Sequence, residues 1–206
     1  MYPGKFITLE GAEGVGKSSN ILFIKDYLES RGLPVITTRE PGGTALGESV
    51  RSILLDQGQV DYKAELLLLF AARAQHVSDV IIPALKSGVW VISDRFVEAS
   101  YAYQGGGRGI PVEIIQYLEN WVLDAVRPDC TILLDAPPEI GMTRARTRGT
   151  LDRIEREDVA FFQRVRQAYL ERARQSSGAT IIVDATRILA EVQATIRIHL
   201  DILAGI

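Results

Sequence analysis

Residues 11–18, which read Gly-Ala-Glu-Gly-Val-Gly-Lys-Ser, limit the possible folds of this chain more than any other segment. They match the pattern G-x-x-x-x-G-K-[ST] and stand between an apolar, strand-like run at residues 6–9 and a helical pattern at residues 18–30. Glycines in this setting let successive backbone N–H groups curl around a phosphate, and the N-terminus of the helix adds its positive dipole. The pattern therefore predicts a strand, a phosphate loop and a helix that together form a nucleoside triphosphate site.

Short apolar, β-branched runs alternate with helical patterns along the rest of the chain. The predicted strands cover residues 6–9, 35–38, 89–93, 131–134 and 180–183. The predicted helices cover residues 18–30, 46–55, 64–86, 112–125, 139–146, 156–175 and 189–203. This alternation is typical of βαβ units, so we expect an α/β fold with a five-stranded parallel sheet and helices on both faces.

Composition excludes several classes of protein. The 206 residues, 47% hydrophobic and 24% charged, suit one globular domain over residues 1–206. Cys130 is the only cysteine, which excludes an intrachain disulfide and fits a reducing compartment. The N-terminus has no secretory signal pattern, and apolar runs such as residues 66–72 are too short to span a bilayer, so we expect a cytoplasmic protein without a membrane partner. A net charge of −3 argues against nucleic acid as a partner.

Charged residues follow the predicted strands, where the ligands of a parallel sheet bind. Lys17 is expected to bridge the β- and γ-phosphates, and Ser18 to bind Mg²⁺. Asp94, directly after residues 89–93, is a second candidate ligand for Mg²⁺, or alternatively an N-cap of the next helix. Arg95 beside it is a candidate for the acceptor phosphate, because a guanidinium binds phosphate oxygens in pairs.

Two further arginines are candidates for the acceptor phosphate. Arg39 follows the second predicted strand, and Arg51 lies on the next predicted helix, three residues after Glu48. Phosphoryl transfer brings two polyanions together and depends on such charge compensation. Either arginine is alternatively a solvated surface charge.

Four motifs, in order along the chain, resemble the bacterial thymidylate kinases. They are LEGAEGVGKSS, TREPGGT, DRF followed by AYQGGGRG, and RARTRGTLDRIE, and the resemblance extends from Phe6 to about Asp184. It implies a P-loop kinase fold and ATP-dependent phosphorylation of dTMP to dTDP in the supply of dTTP, with Mg²⁺ as cofactor. It also implies a homodimer, for which the long helix at residues 64–86 is the candidate interface. The ATP-binding residues that it implies in the loop are Gly11, Ala12, Glu13, Gly14, Val15, Gly16, Lys17 and Ser18.

The resemblance also implies roles on the acceptor side. Glu13 stands where the family has an acid that contacts the 3′-hydroxyl of the acceptor sugar, and Tyr103 resembles the ring that packs on the deoxyribose. Phe70 and Arg73, which share a helix face, would stack on thymine and bind its carbonyl. Gln104 would pair with the imide of the base. The residues leave open that Phe70 is an ordinary core side chain.

The resemblance has one departure, at Ala99. Many members of the family have serine five residues after the aspartate of the DR pair, whereas this chain has Ala99 there, followed by Ser100. A serine hydroxyl contact to the base is therefore not carried over to position 99.

Arginines are concentrated late in the chain, since nine of the 18 lie between Arg144 and Arg174. We expect residues 142–155 to form a mobile, arginine-rich lid that excludes water from the reaction. The family divides by whether the catalytic arginine lies in the phosphate loop or in the lid, and Gly14 provides no side chain in the loop. The resemblance therefore implies a lid arginine, for which we select Arg148, and Arg144 is expected to stack on adenine.

Two other functions are considered. The first is another P-loop nucleotide or nucleoside kinase. The motifs TREPGGT and AYQGGGRG argue against it. The chain would be a nucleic-acid-binding protein if the arginine tract were a basic footprint, but the net acidity and the lack of interleaved aromatic residues count against this. The later arginines, such as Arg172 and Arg174, fit a solvated basic helix better than a lid.

Overall fold

Five parallel strands form the centre of the protein. The computed structural model describes residues 3–56, 58–148, 152–176 and 178–205, and within these ranges every side chain except those of Arg146 and Arg148. The strands are β1 Phe6–Glu10, β2 Val35–Arg39, β3 Trp90–Asp94, β4 Cys130–Asp135 and β5 Thr180–Asp184. Their order across the sheet is β2-β3-β1-β4-β5, and the pairs are parallel. The predicted α/β class and parallel sheet are confirmed.

Helices connect the strands. They are α1 Lys17–Ser30, α2 Ala45–Asp56, α3 Tyr62–His76, α4 Ile82–Lys86, α5 Val97–Ser100, α6 Val112–Leu123, α7 Pro138–Arg148, α8 Val159–Gln175 and α9 Leu189–Ala204. One π-helical segment, Val77–Ile81, divides the helix predicted over residues 64–86 into α3 and α4. A second, Tyr101–Gly107, extends α5. This second segment was missed by the sequence analysis because it ends in three successive glycines, which disfavour a helix.

Alternate residues of the strands face opposite sides of the sheet, as the period of a β-strand requires. In β1, Ile7 and Leu9 pack with α1 and α9 on one face, whereas Phe6 packs with α3, α4 and α6 on the other. A third cluster, from α8 and the segment after α5, covers Leu133 of β4. Helices therefore cover both faces, and the carboxyl edge of the sheet is left for ligands.

The helical stretch Tyr62–Lys86 is long and apolar enough, by length and composition alone, to cross a membrane. Our expectation concerned uninterrupted apolar runs such as residues 66–72, which form only part of this stretch. Leu66, Phe70 and Leu85 of this stretch are nevertheless buried in the core against the sheet. Glu65 and Arg73 are also buried, each in an ion pair inside the protein. The stretch is consequently a helix of the protein core.

Candidate active site

A cleft of about 530 Å³ opens at the carboxyl edge of the sheet. The phosphate loop, the ends of β2 and β3, and helices α2 and α3 form its walls, together with the turn after α7. The predicted site residues that line this cleft are Glu13, Gly14, Gly16, Lys17, Ser18, Arg39, Arg51, Arg73, Asp94, Arg95, Tyr103, Gln104 and Arg144. The fold thus gathers residues from distant parts of the sequence around one space large enough for small-molecule ligands.

The phosphate loop has the backbone that its glycines predict. Gly11, Gly14 and Gly16 have φ angles of 138°, 70° and 92°, a region that residues with a Cβ rarely adopt. Lys17 is buried, and its ammonium group donates to the carbonyl oxygens of Gly11 at 3.1 Å and Ala12 at 2.8 Å. Burial lowers the pKa of Lys17. The ammonium therefore lies folded over the loop and is held by its backbone carbonyl oxygens.

Two residues of the loop serve the core instead of the cleft. Ala12 and Val15 are buried among the apolar side chains under α1. Neither they nor Gly11 line the cleft. Any contact of these residues with a ligand would therefore be made by the backbone, as expected for a phosphate loop.

Helix α7 contacts the loop backbone directly. A Cβ on Gly14 would lie 2.0 Å from the carbonyl oxygen of Gly141, and a Cβ on Gly141 would lie 2.3 Å from the carbonyl oxygen of Glu13. Both distances are far below van der Waals contact, so the two glycines let the loop and α7 touch backbone to backbone. This contact excludes any side chain at position 14.

Arg95 is the centre of a polar cluster next to the loop. Its guanidinium pairs with Glu13 and donates to the carbonyl oxygen of Gly11 at 3.2 Å. It also lies over the ring of Tyr103, with 4.7 Å between the guanidinium carbon and the ring centroid. The Tyr103 hydroxyl in turn donates to Glu13 at 3.1 Å. The residues predicted for acceptor phosphate and sugar are therefore in mutual contact.

Asp94 does not cap a helix, which removes the alternative interpretation of this carboxylate. Helix α5 begins after Phe96 without a side-chain cap. Asp94 Oδ1 is buried and has no hydrogen-bond partner in the described part of the chain. A buried carboxylate oxygen without a partner is costly unless a ligand or ion completes its shell. With Ser18 on the same cleft, the donor set consists of hard oxygens and suits Mg²⁺.

Arg39 and Arg51 lie on the wall of the cleft formed by β2 and α2. Arg39 pairs with Glu48 at 2.8 Å and its side chain is about half exposed, at 52%. Arg51 donates to the carbonyl oxygen of Pro41 at 3.2 Å, and burial lowers its pKa. Both guanidinium groups therefore reach the cleft while held by acceptors on the protein.

The structure separates Phe70 from Arg73. Arg73 lines the cleft, whereas Phe70 is 2% exposed and packs in the core below it. Leu69, one residue earlier on α3, lines the cleft instead. The Phe70 ring makes a cation–π contact with Arg73, with 4.6 Å between the ring centroid and the guanidinium carbon. The interpretation of Phe70 as a base-stacking ring is therefore replaced by the core alternative.

A buried polar network, which the sequence analysis missed, fixes Arg73. Its Nε donates to Glu40 at 2.6 Å, and Nη1 donates to the hydroxyl of Ser100 at 3.1 Å. Glu40 also accepts from His76 Nδ1 at 2.9 Å, and His76 Nε2 lies 2.6 Å from the Thr38 hydroxyl. Ser100, next to the departure at Ala99, therefore positions the arginine. Buried charges require partners, which is the signal that Arg73 carried in its apolar helix.

Glu65 of α3 is bonded both to Gln104 and to Arg153 in the turn after α7. Glu65, 2% exposed, accepts from the Gln104 side-chain amide at 2.7 Å and pairs with Arg153. Arg153 also donates from Nε to the carbonyl oxygen of Leu54 at 2.7 Å. Arg153 thereby ties the segment that follows the lid helix to α2 and α3, a contact that no local pattern in the sequence indicated.

The lid arginines are only partly described. Arg144 lines the cleft and donates to the carbonyl oxygen of Ala185 at 3.0 Å. Arg148 ends α7, and its side chain, like residues 149–151, lies outside the described residues. Arg172 is not a solvated helix charge, which corrects our expectation. It pairs with Glu98 at 2.8 Å and lies over the ring of Tyr101 at 3.8 Å.

Comparisons with known proteins agree with the motifs. The family model described as thymidylate kinase matches residues 9–196. A thymidylate kinase from Methylococcus capsulatus is 57% identical over 206 residues, which cover 100% of this chain and 99% of that protein. One from Chromohalobacter salexigens is 52% identical over 204 residues, covering 97% and 96%. The crystal structure of thymidylate kinase from Ehrlichia chaffeensis has 32% identity, a TM-score of 0.80, and coverage of 96% of this chain and 98% of that chain.

Proposed function

The chain belongs to the thymidylate kinase family, and from that premise we propose which of its residues transfer a phosphoryl group from ATP to dTMP. The enzyme phosphorylates dTMP to dTDP, which the full-length identity to thymidylate kinases supports. The observation that carries the residue assignment is the single cleft where the phosphate loop meets Arg39, Arg51 and Arg95. A site for two polyanions needs this combination, because phosphoryl transfer is mostly positioning and charge stabilisation.

At the donor end, the backbone of the phosphate loop and Lys17 bind the phosphates of ATP. Lys17 exchanges its contacts with Gly11 and Ala12 for the β- and γ-phosphate oxygens. A divalent cation is general in the family, and we infer that it is Mg²⁺ held by Ser18 and Asp94, which is supported by the orphaned buried oxygen of Asp94. When bound, this ion neutralises charge on the triphosphate.

At the acceptor end, Arg95, Arg39 and Arg51 bind the phosphate of dTMP. Glu13 accepts from the 3′-hydroxyl of the sugar and Tyr103 packs on the deoxyribose, a proposal supported by the contact between these two residues. The base lies toward Arg73 and Gln104, at the far wall of the cleft. Arg73 is held there by Glu40 and Ser100, so its geometry is set before the ligand binds.

The lid provides the charge that the loop lacks. The contact between Gly14 and Gly141 leaves no room for an arginine in the loop, and α7 carries Arg144 and Arg148 from that contact toward the lid. Arg148 is assigned to the transferred phosphoryl group and Arg144 to the adenine. Closure of the segment around residues 142–155 excludes water, which would otherwise accept the phosphoryl group.

An assay of ADP release with a panel of nucleoside monophosphates tests this function. We expect dTMP to be the best acceptor, with dCMP, dGMP and dAMP far slower, and thymidine not phosphorylated. Equal rates with several bases would favour a broad nucleotide kinase. Salt-dependent DNA binding without kinase activity would favour the nucleic-acid alternative. The pairing of Arg153, Arg166 and Arg172 with acids counts against that alternative.

We also infer a cytoplasmic, single-domain enzyme that forms a homodimer. Helices α3 and α6 pack against each other and expose apolar side chains to solvent. Tyr117 and Trp121 of α6 are 70% and 72% exposed, and Leu67 of α3 is 58% exposed. Neighbouring apolar side chains of this size are typical of a surface that associates. Sedimentation of the protein and of Trp121→Arg tests the dimer, since the substitution should give monomers.

A further inference from the structure

Glu10, the last residue of β1, is a buried acid with no role in the steps above. Its side chain is 0% exposed, and both carboxylate oxygens accept hydrogen bonds. Oε1 accepts from the backbone N–H of Phe96 at 2.7 Å, and Oε2 accepts from the hydroxyl of Tyr169 at 2.8 Å. Both donors belong to the surroundings of Arg95, so the contacts of Glu10 converge on that residue.

The first contact controls the backbone of Arg95. Arg95 has a φ of 69°, a left-handed conformation that is uncommon for any residue other than glycine and persists only where the surroundings enforce it. Two hydrogen bonds enclose this residue. Its own N–H donates to the carbonyl oxygen of Leu9 at 2.9 Å, and the N–H of Phe96 donates to Glu10. Glu10 therefore fixes the orientation of the peptide that follows Arg95.

The second contact reaches the other end of the same arginine. Tyr169 of α8 is 3% exposed, and its hydroxyl donates a hydrogen bond to Glu10. The same hydroxyl oxygen accepts a long, weak hydrogen bond from Arg95 Nη1 at 3.4 Å. This contact restricts where the guanidinium can lie. One carboxylate thus acts on Arg95 both through its backbone and through its side chain.

We propose that Glu10 is a positioning residue for phosphoryl transfer: through the Phe96 N–H and the Tyr169 hydroxyl, it holds Arg95 in the conformation that presents its guanidinium to the acceptor phosphate. The inference rests on the proposed function, because that function assigns the phosphate contact to Arg95. Glu10 itself does not touch either substrate, since it is fully buried behind the loop.

The charges around Glu10 predict how this role depends on pH. Burial raises the pKa of Glu10 to about 7, against the opposing effects of Arg95 and the Tyr169 hydroxyl, while Glu98 of α5 adds to the rise. Lys17 of α1 also interacts electrostatically with Glu10. Protonation below that pH removes the negative charge that strengthens both hydrogen bonds. The efficiency of dTMP phosphorylation should therefore fall on the acid side through about pH 7.

The test compares Glu10→Gln and Tyr169→Phe with the matched control Tyr27→Phe, whose hydroxyl bonds Asp201 between α1 and α9. The readouts are kcat and both KM values over about pH 5.5 to 8.5, which spans the expected transition. Glu10→Gln should lower kcat about ten- to hundredfold, the range for losing hydrogen bonds to a charged group. It should leave KM for ATP unchanged and remove the acid limb of the pH profile.

Tyr169→Phe keeps the carboxylate and its bond from Phe96, and should lower kcat about tenfold, the effect of losing a single hydrogen bond to a charged group, while it retains the acid limb. Tyr27→Phe should match the unmodified enzyme. If the unmodified enzyme is active and Glu10→Gln keeps both kcat and the acid limb, the inference is overturned while the proposed function stands. The inference is also overturned if the activity that Glu10→Gln loses equals the fraction of that variant found unfolded by circular dichroism. If Glu10→Gln does not fold, an unchanged Tyr169→Phe overturns it. An unmodified protein inactive on dTMP overturns the proposed function and this inference together.

Discussion

Gly14 of the phosphate loop touches Gly141 of α7 so closely that a Cβ on Gly14 would lie 2.0 Å from the Gly141 carbonyl oxygen. The two backbones are in contact because both residues are glycine. This relationship joins the phosphate loop to α7, the helix that carries Arg144 and ends at Arg148. It also explains in steric terms why a loop arginine is incompatible with this chain.

We predict that Gly141→Ala lowers kcat without unfolding the protein. Its Cβ would lie 2.3 Å from the Glu13 carbonyl oxygen, so α7 must shift away from the loop. Alanine by itself favours a helix over glycine by about 1 kcal/mol, so helix propensity cannot cause the loss. Steady-state kinetics should show it, with Gly58→Ala as the control, because a Cβ there has nothing within 4 Å. Equal kcat in the two variants would show that the contact is irrelevant to turnover.

Lys17→Ala should abolish turnover and leave the fold intact. Its ammonium contacts only backbone carbonyl oxygens of the loop among the hydrogen bonds of the described structure, so removal takes away phosphate binding and little packing. The loss concerns transition-state stabilisation. Rate measurements with thermal unfolding check both parts. Activity near that of the unmodified enzyme would refute the assignment of the phosphate loop.

Arg148→Ala should reduce kcat by roughly 10³-fold, by analogy with arginine fingers, with KM for ATP little changed. An arginine that acts only in the transition state lowers the rate and not ground-state binding. The matched control is Arg174→Ala, since Arg174 is exposed near the end of α8. Arg172 is unsuitable as a control because it pairs with Glu98. Equal losses in both variants, or a change in KM alone, would place the catalytic arginine elsewhere.

Tyr103→Ala should narrow the preference for dTMP over its ribonucleotide analogue. The ring is expected to fill the space over C2′, whereas the hydroxyl bonds Glu13. Tyr103→Phe separates these two functions, because it keeps the ring and should keep the discrimination between the sugars. Competition assays with both nucleotides provide the measurement. An unmodified enzyme that uses both sugars equally contradicts the role of the ring.

Glu40→Gln should destabilise the protein by about 3 kcal/mol, since it removes the charge that a buried arginine requires. Glu40 and Arg73 are 4% and 2% exposed in their side chains. The control is Glu29→Gln, because the pair of Lys25 and Glu29 is 34% and 42% exposed and should contribute little to stability. Urea unfolding of both variants measures the contrast, and similar free energies of unfolding would argue against a charged pair in the core.

Local patterns in the sequence were sufficient for the parallel sheet, the phosphate loop and the family. The loop is contiguous, its glycines have the positive φ angles that such a loop requires, and a short apolar, β-branched stretch marks each strand. Asp94 ends β3 and Arg95 follows it directly, so their place at the carboxyl edge is a consequence of chain direction. In these cases the structure follows from interactions and conformational preferences of residues that are close together in the chain.

Only the tertiary structure decided which of two adjacent helix residues faces the cleft. Leu69 lines it and Phe70 is buried because the rotation of α3 against the sheet is set by packing over its whole length. The partners of Glu10, Arg73 and Arg172 could not be predicted from the sequence, since their hydrogen bonds join residues 23 to 159 positions apart. A charged residue signals that it needs a partner, but the fold determines which one lies within reach.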